Sequence, residues 1–402
     1  MPPFHLDFAA RTERLNPSVI REILKLVSQS DIISFAGGMP APELFPYAAI
    51  EQGLQSALGT PAKSLAALQY GPSEGFAPLR TLLAEQLKAE GIAAEPRHVV
   101  LTTGSQQAID MVARALVDPG DLVVVGEPTF LGALQSFSGF EASYATVPLD
   151  DEGMRPDVLE QVLSQQRPKV IYTIPSFQNP TGVSMSEPRK RQVYAIAQAH
   201  GVPILEDDPY GELYFGPARP STLKSLDTEG GVILARTFSK VLAPGLRVGY
   251  MVVPDALLPK LMPIKQAADL HTSSLDQSLV YELLAADIMP AHLERLREVY
   301  RHRRDLMLEA LEAHFPKSCR WTHPEGGLFV WVTLPRGLDS AKLLEQAVAQ
   351  KVAFIPGHAF FARGGGENTC RLNFSCASEE NIREGVRRLG GVLERAIAAS
   401  AV

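Results

Sequence analysis

Cysteine is scarce in this chain: Cys319, Cys370 and Cys376 are the only three in 402 residues. Their spacing fits neither a metal motif nor a disulfide framework, so a reducing compartment is expected. Charge of one sign is also not in large excess. Lysine and arginine number 38 against 45 aspartates and glutamates, a net charge of -7. That argues against a generic nucleic-acid or anionic-membrane partner and leaves room only for a local basic pocket. No apolar run approaches the roughly 18 residues a membrane helix needs. The start does not resemble a signal peptide, and no internal repeat or low-complexity linker interrupts the chain. A cytoplasmic protein is therefore expected. What the chain does have is 46% hydrophobic and 21% charged residues. That is an ordinary globular balance, at a length that suits one large domain plus a smaller one, or two of similar size.

The order of elements narrows the fold. The stretch "NPSVIREILKLV" (16–27) predicts a helix, capped by Asn16, with Pro17 at its first position and Val19, Ile20, Ile23, Leu24 and Val27 on one face. "IISFAGGMPAPELFP" (32–46) reads as a turn-rich loop. Strand-like runs then follow at 98–104, 121–128, 169–175, 202–208, 231–237 and 247–253, with helical periods at 105–116 and 187–200. Strands alternating with helices predict an α/β domain around a mostly parallel sheet, whose ligands bind past the carboxyl ends of the strands. Beyond residue 255 the pattern changes to long helical stretches over 275–314, strands at 326–334 and 370–376, and helices at 340–350 and 379–398. A smaller α+β domain is expected there. The boundaries are drawn at 1–46 for an arm and helix joined to the small domain as a substrate lid, 47–285 for the large domain, and 286–402 for the small one.

Unusual polar residues fall at the ends of the predicted strands. "TTGSQQ" (102–107) sets Ser105 and Gln106 where a strand turns into a helix. Free amides there make either a phosphate cradle or a plain N-cap. "PSFQNPTG" (175–182) is a turn by composition, but Asn179 can also face a ligand oxygen. "LEDDPY" (205–210) closes an apolar strand with two acids; a carboxylate there either reaches solvent or meets a cation. "TFSKVLAPGLRVGY" (237–250) offers Ser239, Lys240 and Arg247. Lysines on loops are ordinarily solvated. A phosphate cradle, an anion-binding fork, an acid, a phenol and an amine, each at a strand end, together match what pyridoxal 5'-phosphate requires.

The spaced pattern S-K-x-L-A-P-G-L-R-x-G-Y, with N-P-T-G and D-x-x-Y upstream, resembles the fold-type I pyridoxal-phosphate-dependent aminotransferases over residues 16–398. "SVIREILK", "SFAGGMPAPELFP", "LQYGPSEG", "EDDPY" and "DLHTSSLDQ" resemble the branch of 2-aminoadipate (LysN-type) and kynurenine aminotransferases. The resemblance implies that Lys240 carries the cofactor as a Schiff base and shuttles the Cα proton. Asp207 would pair with the pyridinium nitrogen, leaving Asp208 without a task. Asn179 and Tyr210 would hold the phenolate oxygen. Ser105, Gln106, Ser239 and Arg247 would hold the phosphate, and Phe130 would stack on the ring where many relatives carry tyrosine. Tyr70 would reach the phosphate of a partner subunit, which implies a homodimer with shared active sites. Arg371 would clamp the substrate α-carboxylate, Gly38 would let the backbone approach the substrate, and Arg21 would meet a distal carboxylate.

The expected reaction is transfer of an amino group from 2-aminoadipate or glutamate, with some leucine or aromatic amino acid, to an oxo acid such as 2-oxoglutarate. No metal is expected. Two other readings stand beside it. One is a lyase or decarboxylase on the same cofactor, since fold does not fix chemistry. The other is a cofactor-binding sensor related to the GntR-type regulators, against which the chain offers no room for a winged helix before residue 16.

Overall fold

The computed structural model describes residues 6–9, 11–12, 23 and 31–400. The helix expected over 16–27, and Arg21 with it, lies outside the described residues apart from Ile23.

A two-residue strand, β1 (Ile33–Ser34), comes first. Then β2 (Val99–Thr102), β3 (Leu122–Glu127), β4 (Ser143–Asp150), β5 (Gly153–Met154), β6 (Val170–Thr173), β7 (Ile204–Asp207), β8 (Val232–Thr237) and β9 (Gly249–Val252) form one sheet in the order β2-β9-β8-β7-β6-β3-β4-β5. The pairs β4/β3, β3/β6, β6/β7 and β7/β8 are parallel, whereas β9 runs against both β8 and β2.

Alternation sends successive side chains to opposite faces of this sheet. Val123, Val125, Val170, Tyr172 and Leu205 enter one core with Ile109 and Val112 of the helix Ser105–Leu116. Val124, Ile171, Ile204 and Val232 enter another with Val193 and Ala197 of the helix Glu187–His200. Both faces are covered, which is why these strands read as unbroken apolar runs. The helix Glu187–His200 starts where Ser186 accepts a hydrogen bond from the Arg189 amide and stops at Gly201, in the left-handed region at φ 66°.

A second sheet collects most of the late strands: β10 (Arg320–Trp321), β11 (Phe329–Thr333), β12 (Val352–Ala353), β13 (Ile355–Pro356) and β14 (Thr369–Asn373). Four of them pair antiparallel in the order β10-β11-β14-β13. The fifth, β12, instead pairs in parallel with β1, so the segment expected as loop at 32–46 contributes a short strand. The helices Met289–His314 and Glu379–Ser400 pack against each other in the same part of the chain.

One expectation is corrected by the backbone. Hydrophobic pattern puts Arg247 at the head of a strand over 247–253. The tight turn Pro244–Leu246 delivers it instead into the left-handed region, at φ 51° and ψ 37°, two residues before β9 begins. Because β9 is reversed, its start lies at the carboxyl ends of its neighbours: Thr102 and Thr237 both register with Gly249. The ends of β2, β7 and β8 and the approach to β9 therefore meet along one edge.

Candidate active site

A cavity of about 680 Å³ opens at that edge. Gly38, Ser105, Gln106, Phe130, Asn179, Asp207, Tyr210, Ser239, Lys240, Arg247 and Arg371 all line it. Of the other two residues expected here, Arg21 is outside the described residues. Tyr70 stands away from the cavity, 79% exposed, with its ring edge against His271.

One end of the cavity gathers groups that could cradle an anion. Ser105 and Gln106 open the helix Ser105–Leu116, where backbone amides have no carbonyl of their own helix behind them. Gly104 precedes them at φ 76°, and a Cβ there would stand 2.6 Å from Nη2 of Arg247. Only glycine permits that approach. The Arg247 guanidinium donates to Thr103 O, at 3.1 Å, and to Ser239 Oγ and Pro244 O, both at 3.3 Å. The Ser239 hydroxyl in turn accepts from Thr237 Oγ1 at 2.9 Å. Gln106 has its side chain engaged elsewhere. Its side-chain amide donates to Gly132 O and Ser136 Oγ, each at 2.8 Å, so its backbone N–H rather than its side chain is left for the cradle. Arg247→Ala is expected to weaken binding of a phosphate-bearing cofactor about 10–100-fold, the worth of a hydrogen-bonded charge. Titration of cofactor-free protein would measure it; unchanged affinity would remove Arg247 from the cradle.

The middle of the cavity holds Lys240 and Asp207. Lys240 Nζ donates to Gly38 O at 2.9 Å. Burial, reinforced by the nearby charges of Arg371 and Arg247, pulls its pKa down to about 8. Asp207 ends β7 and is 1% exposed. Its Oδ2 accepts from the Tyr172 phenol at 2.9 Å, while Oδ1 has no partner. Burial, with a further push from Asp208, raises its pKa to about 7. An unpartnered buried carboxylate oxygen facing a cavity is costly unless a cationic donor fills the space. Tyr210 is likewise buried, its phenol pushed well up by burial, and Asn179 reaches its oxygen.

Arg371 closes the other end. It sits on β14 and is fully buried, with its guanidinium 4.2 Å from the centre of the Phe329 ring and 5.2 Å from that of Phe360. Nη1 donates to Asn179 Oδ1 and Nη2 to Ala36 O, both at 2.8 Å, and Nε has no partner. Burial lowers its pKa to about 10, which still leaves it cationic at neutral pH. Among the described residues no carboxylate pairs with it, and a buried guanidinium of this kind could take an anion. Gly38 keeps the fork's bed free: a Cβ there would press on Phe329 Cζ at 3.3 Å. Phe130, just ahead of the helix Leu131–Ser138, supplies a flat wall.

One residue escaped the reading of the sequence and another was left there without a task. Tyr172 is the first; in parallel register it lies opposite Leu205, which puts it on the same face as Asp207 two residues on. A tyrosine inside an apolar strand signals a buried hydroxyl in need of a partner, but not which one. Asp208 is the other. It points away from the cavity to Arg236, at 2.9 Å, and Arg219, at 3.3 Å. These in turn hold Glu90, and Arg219 also holds Glu212, which pairs with Arg297 of the long helix Met289–His314. The second acid of "EDD" thus anchors a buried ion network beneath the site.

No group of residues that could hold a metal ion occurs among the described residues, and no described helix is long and apolar enough to cross a membrane. Comparison with known proteins agrees with the geometry. Residues 48–389 match the family model for aminotransferase class I and II. The 2-aminoadipate transaminase of Thermus thermophilus is 46% identical over 97% of this chain and 97% of its own length. Aromatic-amino-acid aminotransferase 1 of Thermococcus litoralis is 44% identical over 96% of this chain and 94% of its own. The crystal structure of LysN, the α-aminoadipate aminotransferase of Thermus thermophilus, was solved with N-(5'-phosphopyridoxyl)-L-leucine. It superposes with a TM-score of 0.91 at 44% identity, covering 98% of each chain. The chain therefore belongs to the aminotransferase class I and II family, with the fold-type I architecture and close relatives among the 2-aminoadipate and aromatic aminotransferases.

Proposed function

We propose that this aminotransferase moves the amino group of 2-aminoadipate or glutamate to 2-oxoglutarate and also accepts leucine and aromatic amino acids. The observation that carries the reading is the convergence, in one cavity, of an amine, an unpartnered buried carboxylate oxygen and an unpaired buried guanidinium. The cofactor is pyridoxal 5'-phosphate, and the residues fit it. The cradle of Ser105, Gln106, Ser239 and Arg247 suits its phosphate, and Asp207 Oδ1 suits its ring nitrogen. Asn179 and Tyr210 suit its phenolate oxygen, and Phe130 suits its ring face. When bound, it supplies an aldehyde carbon for the amino group and a ring that takes up the electron pair released at Cα.

The chain's own groups do the rest. Arg371 holds the substrate α-carboxylate in a bidentate grip, which fixes Cα relative to Lys240. Lys240, neutral in its desolvated pocket, would take the Cα proton as a general base and carry it for the return step. Asp207, held ionised by a cationic partner, would hold a proton at the ring nitrogen. The phenol of Tyr210 and the amide of Asn179 steady the ring oxygen.

Substrate choice rests on relatives named for 2-aminoadipate and aromatic amino acids and on a leucine adduct held by one of them. Arg21 is assigned the distal carboxylate. Arg21→Ala is expected to lower kcat/KM for 2-aminoadipate and glutamate at least about tenfold more than for leucine, as loss of a charged hydrogen bond does. Equal losses would remove it from that role. The working unit is taken to be a homodimer: Tyr70 is exposed beside exposed Leu65, Leu68 and Leu270, a surface suited to a second subunit. Three free cysteines support a cytoplasmic location.

The visible spectrum tests the whole reading. The yellow band of the loaded protein should bleach with 2-aminoadipate and return with 2-oxoglutarate. A yellow protein that no amino acid bleaches would favour a sensor. Release of ammonia with an oxo acid but no amino acceptor would favour a lyase, and release of carbon dioxide a decarboxylase.

A further inference from the structure

We propose that Tyr172 is a positioning residue for the cofactor: its phenol holds Oδ2 of Asp207 so that Oδ1 is the oxygen presented to the ring nitrogen, and so that the carboxylate stays charged there. The proposal rests on the reading of the cavity as a pyridoxal-phosphate site and adds a residue to it.

The geometry is specific. Tyr172 is fully buried on β6, and its phenol donates to Asp207 at 2.9 Å, across 35 residues of chain. Its ring is set by an edge contact with Phe137, centroids 6.2 Å apart, so the hydroxyl cannot swing to another acceptor without moving that pair. Beside burial, the groups acting on Asp207 include Tyr172, Asp208, Lys240, the Ser105 hydroxyl and the Tyr210 phenol. Asp208 is itself neutralised by Arg236 and Arg219. Lys240 would cease to be an independent ammonium if it carried the cofactor. Ser105 lies at the cradle, where its hydroxyl has the phosphate as an alternative acceptor. The Tyr172 phenol is the donor with no competing task.

A hydrogen bond to the charged form of a carboxylate favours that form. Without it, Oδ2 would be a second buried oxygen lacking a donor. The proton between ring nitrogen and carboxylate would then move toward the carboxylate, leaving a neutral ring facing a neutral acid. A neutral ring is a poorer acceptor for the electron pair from Cα, so the consequence reaches the reaction through Asp207 alone.

The test uses full-length protein loaded with pyridoxal phosphate labelled with ¹⁵N in the ring, and follows the nitrogen resonance against pH. In the parent protein the resonance should report a protonated nitrogen at neutral pH. In Tyr172→Phe it should lose its proton about one pH unit lower, a tenfold change in that equilibrium. Cofactor affinity should fall by a similar factor, and kcat should fall with little change in KM for the amino acid. p-Aminophenylalanine placed at position 172 restores a donor on the same ring and should restore the resonance. A Tyr172→Phe protein that melts earlier but keeps the parent's ring titration would overturn the proposal and leave Tyr172 as a tie between β6 and β7. So would failure of the amino analogue to recover the signal in a folded protein. A parent protein that takes up no cofactor would instead overturn the proposed function itself, and this inference with it.

Discussion

Lys240→Ala is expected to give a folded protein that still takes up pyridoxal phosphate and turns over at least about 10⁴-fold more slowly than the parent. Folding should survive because the lysine's hydrogen bond goes only to Gly38 O and its ammonium is desolvated. Removing a buried cation with one neutral acceptor costs little compared with breaking an ion pair. Turnover should not survive, because the described part of the cavity holds no other amine able to take the Cα proton. The lysine also sets a pH dependence. Its pKa is lowered to about 8, from an ordinary value of 10.5. The neutral base is therefore dominant above about pH 8 and falls tenfold for each unit below it. Acylation of Lys240 in cofactor-free protein should rise to half its maximum near that pH, well before exposed lysines react. A midpoint near 10 would mean that Lys240 is solvated. Near-normal turnover by Lys240→Ala would sink the functional assignment outright.

Arg371→Lys is expected to lower kcat/KM for every amino acid and oxo acid by about 10²–10³-fold, the cost of truncating one side of a buried charged pair. The change preserves the charge, so the loss measures geometry. Arg371 lies in register with Trp331 on one side and Ile355 on the other, which fixes where its fork can point. Lysine has one ammonium where the guanidinium has two parallel N–H groups, and its shorter reach abandons Ala36 O or Asn179 Oδ1. Steady-state kinetics with a donor and an acceptor, beside a cofactor spectrum that stays unchanged, would confirm that the α-carboxylate is what the fork holds. A loss confined to one substrate would place Arg371 at a side-chain subsite instead.

Local features of the site were legible before the fold was. Ser105, Asp207, Ser239 and Lys240 each sit where a short apolar run gives way to a turn or helix, and hydrophobic pattern marks such junctions well. The helices Ser105–Leu116 and Glu187–His200 match their expected spans because cap, period and stop agree within one stretch of chain. What the pattern could not carry was adjacency. The order of the sheet puts β6 beside β7, which brings Tyr172 to Asp207, and β7 beside β8, which brings Arg236 to Asp208. Both depend on which strands neighbour each other, a global property. Arg247 was misplaced for the opposite reason: a left-handed residue after a proline turn leaves no trace in hydrophobic period. The partners of the Gln106 side chain were likewise out of reach of the pattern, since they lie on a helix 26 and 30 residues further on.

The connection from β8 to β9 has a wider consequence. Lys240, Ser239 and Arg247 all belong to the stretch of chain between Thr237 and Gly249, two residues fixed opposite each other in the sheet. The amine and the anion clamp are thus measured off along a single peptide segment, like two marks on one ruler. The surfaces that would meet a substrate come from elsewhere: the loop around Gly38, the helix Leu131–Ser138 and β14. Variation can accumulate in those three without altering the spacing of the ruler, whereas a single insertion within it would misalign both marks at once. A lineage built this way can diversify in what it accepts while inheriting its chemistry intact.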